Sequence, residues 1–193
     1  ADEVICGFGR TGNMWGSETF GLKPDILTCA KALSSAYLPI SAVMVSSEVV
    51  RGVEEQATKL GIFGHGYTYS AHPVSAAVAL RTLELMKERN IVDNVKKVSQ
   101  KFCDRVHKLS KYKCIGDTRA VGLIGAIEFV AIPDSRVKLD PNLKFAAKVQ
   151  KLIQSEGVIL RALPGDSIGF CPPLIINEIE IDKLFDRAEK AMP

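Results

Sequence analysis

The run Ile26-Leu27-Thr28-Cys29-Ala30 is short, uncharged and ends on Lys31. It is too short for a buried helix and fits a buried strand. Two further short apolar runs accompany it, Val4-Ile5-Cys6 and Ile40 to Ser46. Continuous rather than alternating apolar runs are what a parallel sheet covered on both faces requires. The spacing therefore predicts strands ending near Cys6, over Asp25 to Ala30 and over Ile40 to Ser46, in an α/β fold.

The lysine sharpens this reading. At the end of a buried strand, desolvation disfavours a charged ammonium and makes its amine a better nucleophile toward carbonyls. That is what a Schiff base needs. An aspartate at the end of a neighbouring strand, here Asp2, can hold a protonated pyridine nitrogen. Strand periodicity puts Val4 on the same face as Asp2. A lysine with such an aspartate is the protein's half of pyridoxal phosphate chemistry.

Beyond Ser46 helical patterning dominates. A short helix is predicted over Glu48 to Lys59, then a glycine-rich loop over Gly61 to Gly66. A helix from Pro73 to Arg89 has proline in its first turn, where a missing N–H costs nothing. Its apolar face is Val74, Ala77, Val78, Ala79, Leu80, Leu83 and Met86. A second runs from Asp93 to Leu109, with Val95, Val98, Phe102, Val106 and Leu109 at helical spacing. The chain then changes character. Ala120 to Val130 reads as a strand, and Phe145 to Glu156 as a helix stopped by Gly157. Val158 to Leu163 and Ser167 to Phe170 read as strands joined by a Pro-Gly-Asp turn. Asn177 caps a last helix whose core face is Ile181, Leu184, Phe185 and Ala188. Ile132 to Pro141 is expected to be a mobile loop. These patterns divide the chain into a large-domain part, 1–111, and a small α+β domain, 112–193.

Composition excludes several classes. A net charge of +3 in 193 residues, with no basic run interleaved with aromatics, gives no case for nucleic acid. No apolar stretch reaches a membrane span. The five cysteines, Cys6, Cys29, Cys103, Cys114 and Cys171, form no CxxC pair and suggest neither zinc nor a disulfide framework. They imply a reducing compartment, cytoplasmic or mitochondrial. No targeting segment is seen, and a start at Ala-Asp-Glu does not look native. His65 and His72, seven apart across glycines and a proline, have no metal spacing, and no metal site is expected.

Gly7-Phe8-Gly9-Arg10-Thr11-Gly12 spells GxGxxG, the dinucleotide fingerprint. That motif needs a helix opening at its third glycine. Gly16, Gly21 and Pro24 break any such helix, and no acidic strand end lies about 20 residues on, where the fingerprint requires one. Arg161, between Leu160 and Ala162, is expected to be buried and to need an anionic partner. Arg10 is a second candidate for that role.

Asp2 through Gly12, with Lys23-Pro24-Asp25 through Lys31-Ala32-Leu33-Ser34-Ser35, resembles the class III aminotransferases. Three later segments agree in order. His65-Gly66-Tyr67-Thr68-Tyr69-Ser70-Ala71-His72-Pro73 resembles the family's HGxTYSGHP stretch, with Ala71 where glycine is usual. Arg119 to Phe129 resembles its RGxGLxxGIEF strand. Arg161, Gly165-Asp166 and Cys171-Pro172-Pro173-Leu174 resemble its C-terminal stretch. The wording at Ala32 to Pro39 and Lys87 to Ile91 is similar to gamma-aminobutyrate:pyruvate transaminases.

The resemblance implies a pyridoxal-phosphate-dependent transferase of fold type I. The part in hand would be the C-terminal part of its large parallel-sheet domain plus the small C-terminal domain. It implies an amino group moved from an omega-amino acid or amine to a keto acid such as pyruvate. Lys31 would be the Schiff-base lysine, Asp2 the partner of the pyridine nitrogen, and Val4 a residue packed on the ring. Thr68 would bind the cofactor phosphate of the partner subunit, which implies a homodimer. Arg161 would bind the substrate carboxylate. The family's phosphate cradle and ring-stacking aromatic precede Asp2, so the isolated chain is expected to be inactive. A degenerate, non-catalytic fragment, and an aminomutase or decarboxylase on the same fold, stay open as alternatives.

Overall fold

A computed structural model describes residues 1–133, 135 and 137–192. They form two compact units, Ala1–Val92 and Asp93–Pro193. The sequence pattern puts the division at 111/112. The second helix after the glycine-rich loop packs into the core of the second unit from Val95 onward.

In the first unit a short helix α1 (Gly16–Thr19) precedes strand β1 (Ile26–Cys29). Strand β2 (Ala42–Val45) pairs with β1 antiparallel, Leu27 facing Met44 and Thr28 facing Val43. The expected parallel pairing is confined to one bridge, Asp2 to Thr28. The reason lies in the connection. A parallel crossover is usually carried by a helix, whereas the link from β1 to β2 holds only one 3₁₀ turn, Lys31–Ser34. The expected strand at Val4 to Cys6 is instead a series of turns. Gly7 donates its N–H to the Glu3 carbonyl at 2.9 Å, and a Cβ on Gly7 would lie 2.8 Å from that oxygen. Tight reversal, not extension, is what this glycine permits.

Helix α2 (Ser47–Leu60) starts at a Ser46 cap that accepts from the Val49 N–H. It buries no residue. Helix α3 (Pro73–Glu88) buries only Ala79, which joins Phe8, Leu27, Cys29 and Leu33 in the unit's core. Val74 and Leu80, expected on its apolar face, are 56% and 60% exposed.

The second unit is a four-stranded antiparallel sheet in the order β3-β4-β6-β5. Its strands are β3 (Ile115–Val121), β4 (Ile124–Phe129), β5 (Arg161–Leu163) and β6 (Ser167–Phe170). The single strand expected over Ala120 to Val130 is the tip and second arm of a hairpin. Val121 faces Ile124, so Gly122 and Leu123 form a two-residue loop. Gly122 takes φ 57°, the first central position of a type II′ turn. Along β4, Gly125, Ile127 and Phe129 are buried and alternate with half-buried residues, as a sheet covered on one face requires.

Helices α4 (Ile91–Lys108), α5 (Phe145–Ser155) and α6 (Glu178–Lys190) complete the unit. Phe102 of α4, Phe170 of β6 and Phe185 of α6 meet in the core, the last two stacked at 5.3 Å. Arg105 fastens α4 to α6 through Asp182, Asp186 and Glu189. Burial works against its charge, but hydrogen bonds to Asp186 and Asp182 outweigh that and hold it protonated. Asn177 and Glu180 close a reciprocal capping box on α6. Of the expected loop Ile132 to Pro141, Asp134 and Arg136 lie outside the described residues.

Candidate active site

Asp2 and Lys31 are brought to the same end of β1. Thr28 donates its N–H to the Ala1 carbonyl at 2.9 Å, and its own carbonyl accepts the Glu3 N–H at 2.8 Å. Asp2 thus lies beside Thr28, three residues before Lys31, at the carboxyl end of β1. Asp2 Oδ1 accepts the Val4 N–H at 3.0 Å, an Asx turn that ends the extended backbone. That turn also removes the periodicity argument for Val4, which is half-buried in the turns beyond it.

The sequence leads one to expect a buried Lys31. In this chain it is exposed, because β1 ends at Cys29 and Lys31 opens the 3₁₀ turn beyond it. Its φ of 49° lies in the left-handed region, uncommon for a residue with a side chain. Two residues earlier, burial pushes the Cys29 thiol up, helped by the Glu3 charge and opposed by a backbone hydrogen bond at Ala42. A protonated, buried thiol does not compete as a nucleophile.

The glycine loop packs beneath. Phe8 is buried at φ 58° and meets Trp15 edge to face at 4.9 Å. No helix opens at Gly12; α1 starts four residues later and is one turn long. The dinucleotide fingerprint lacks its required context.

Sequence reasoning misses Glu3. The residue is 2% exposed, and its carboxylate accepts the Gly16 N–H at 2.8 Å and the Ser17 N–H at 2.6 Å. It staples the Asp2 segment to the far end of the glycine loop. The contact spans 13 and 14 residues, so no local motif signals it. Glu3→Ala should lower the unfolding free energy by about 2–4 kcal/mol, since two buried N–H groups lose their acceptor. A urea midpoint equal to the parent's would refute this.

Thr68 is exposed in a turn closed by the Ser70 N–H on the Tyr67 carbonyl at 2.9 Å. Among the described residues no hydrogen bond or ion pair joins it to Asp2 or Lys31. Arg161 opens β5 in the other unit, facing Gly169. The expected burial is not found: Arg161 is exposed, being the first residue of an edge strand, and the described residues give it no ion pair.

The family profile for aminotransferase class-III matches residues 1–192. The chain belongs to that family. An aminotransferase of Sinorhizobium fredii, y4uB, is 44% identical over all of this chain and 42% of its own length. Gamma aminobutyrate transaminase 3 of Solanum lycopersicum, a chloroplastic protein, is 45% identical over 100% of this chain and 37% of its own. The solved omega transaminase of Pseudomonas jessenii in complex with PMP matches with TM-score 0.93 and 40% identity, over 99% of this chain and 42% of that one. A transaminase solved with L-ala matches with TM-score 0.95 and 44% identity, over 100% and 45%. This class III chain therefore spans about two fifths of the length of these relatives. Its mixed α/β architecture is that of the pyridoxal-phosphate-dependent class III transaminases, fold type I.

Proposed function

We propose that the protein to which these residues belong is a transaminase. It moves an amino group from an omega-amino acid or amine, of the gamma-aminobutyrate or beta-alanine class, to a keto acid such as pyruvate. The observation that carries the reading is that Asp2, bridged to Thr28, and Lys31, in the turn that follows, both lie at the carboxyl end of β1. A carboxylate and a primary amine at one strand mouth are the donor set pyridoxal 5′-phosphate needs, and the residues present fit it. When bound, that cofactor supplies the electron sink for carbanion chemistry.

The chain's own groups do the rest. Asp2 holds the proton on the pyridine nitrogen through a charge-assisted hydrogen bond. Lys31 Nζ anchors the cofactor and moves protons to and from the substrate carbon. Val4 packs against the ring. Thr68 Oγ1 donates to the phosphate of the cofactor in the partner subunit of a homodimer. Arg161 offers its planar fork to a substrate carboxylate. The names of the relatives support the donor class, since several are gamma-aminobutyrate transaminases.

The five cysteines form no disulfide, and no described helix is long and apolar enough to cross a membrane. Relatives from Solanum lycopersicum are chloroplastic and mitochondrial. The mitochondrial relative supports the reading of a reducing compartment, cytoplasmic or mitochondrial. The division into a large cofactor-binding domain through residue 111 and a small domain from residue 112 stands as part of this proposal.

The test is an assay of the full-length protein with pyridoxal phosphate, gamma-aminobutyrate or beta-alanine, and pyruvate. Sustained alanine formation is expected. Arg161→Ala should raise the KM for pyruvate by more than about tenfold, the worth of one lost charged hydrogen bond, and leave the KM for an amine donor without a carboxylate nearly unchanged. Release of carbon dioxide or an isomerised amino acid without alanine would overturn the transaminase reading.

A further inference from the structure

Between Lys31 and Ala36, just after β1, three residues with side chains have left-handed backbone. The 3₁₀ turn Lys31–Ser34 ends in two left-handed residues with side chains, Ser35 at φ 51° and Ala36 at φ 62°. Lys31 itself is left-handed, at φ 49°. The Ser35 N–H reaches the Ala32 carbonyl at 3.1 Å, and the Ala36 N–H reaches back to the Lys31 carbonyl at 3.2 Å. These two bonds, 5→2 and 6→1, are a Schellman closure, a motif that ordinarily takes glycine at its left-handed position. No glycine stands here. The carbonyl that receives the outer bond belongs to Lys31.

Something must hold a closure made from unfavourable residues, and Ser34 is placed to do it. Ser34 is 2% exposed, and its hydroxyl donates to the Leu38 carbonyl at 2.6 Å. Ser34 also accepts the Tyr37 N–H on its own carbonyl at 3.1 Å. Leu33 beside it is buried in the core of the unit. The hydroxyl thus ties the start of the loop to its exit. Strained backbone persists where the surroundings over-determine it, and such strain gathers at functional sites.

We propose that Ser34 is a positioning residue for Lys31: its buried hydroxyl locks the Schellman loop and thereby fixes the backbone from which the Lys31 amine extends. The role rests on the reading of Lys31 as the reacting lysine. Ser34 touches no substrate; it acts through Lys31.

The test uses the full-length protein without cofactor. Trace labelling of lysines with acetic anhydride across pH, followed by peptide mapping, gives the reactivity of Lys31 relative to the exposed Lys151 in α5, a helix none of the variants alters. Ser34→Ala should change that ratio at least threefold and speed amide exchange at Ala36 and Tyr37 at least tenfold. Ser34→Cys, close in size with a weaker donor, should give smaller changes in the same direction, and it carries the test if Ser34→Ala does not fold. Ser46→Ala, which removes the cap of α2, controls for general loosening and should leave the ratio as in the parent. An unchanged ratio in the Ser34 variants, or an equal change in Ser46→Ala, overturns the proposal. Mapping of the borohydride-reduced, cofactor-loaded parent separates the two readings: a label elsewhere than Lys31 removes the reacting lysine while the cofactor-free ratio still reports on the lock.

Discussion

Borohydride reduction of the pyridoxal-phosphate-loaded, full-length protein should leave the pyridoxyl group on Lys31, and Lys31→Ala should abolish measurable transamination. Only a primary amine bonds to the cofactor's carbonyl, so Lys31→Arg, which keeps the charge but not the nucleophile, should fail as fully. A single positioned proton-transfer group contributes about 10²–10⁴ in rate. Lys31 loses that and the covalent anchor together, so the fall should exceed about 10³-fold. Stability should change little, because Lys31 is exposed and the Schellman bonds use its backbone, not its side chain. A pyridoxyl label on Lys59 or Lys113, or turnover within tenfold of the parent, would remove Lys31 from the chemistry.

Asp2→Asn should separate folding from catalysis. The amide oxygen of asparagine can accept the Val4 N–H as Asp2 Oδ1 does, so the Asx turn and the Thr28 bridge should survive. Thermal unfolding should match the parent's. Turnover should drop by about 10²–10³, the usual loss when one preorganised electrostatic partner is removed. A neutral amide cannot hold the proton on the pyridine nitrogen as a carboxylate does, so the bound ring becomes a poorer electron sink. Turnover close to the parent's would place the counter-charge elsewhere. A fall in turnover matched by a fall in unfolding temperature would make Asp2 structural.

Helices are the most legible part of the sequence. In α4 and α6 the apolar residues recur at helical spacing and nothing competes with that signal, and Val95, Phe102, Val106, Ile181, Phe185 and Ala188 are all buried. The Pro164-Gly165-Asp166 turn between β5 and β6 is equally plain, with Gly165 and Asp166 both left-handed. The β3–β4 hairpin escapes because its loop residue Leu123 is fully buried, so hydrophobicity runs through the turn and only Gly122 marks it. Val4 to Cys6 misleads for the opposite reason: apolar residues there line turns set by Gly7 and Glu3. At the site, residue identities are readable from chemistry and resemblance, but exposure is not. Lys31 and Arg161 have apolar sequence neighbours that suggest burial, and an element's end or an edge strand leaves such residues open whatever flanks them. Glu3 escapes because its partners, Gly16 and Ser17, are distant in sequence.

Trp15 is the only tryptophan in the chain, and it rests on Phe8 and against Gly7 inside the glycine loop. Its indole emission is therefore a native optical gauge of that loop alone. Within these residues, excitation selective for indole reads the packing around Phe8 and Gly7, so loop opening can be followed in real time without attaching a dye.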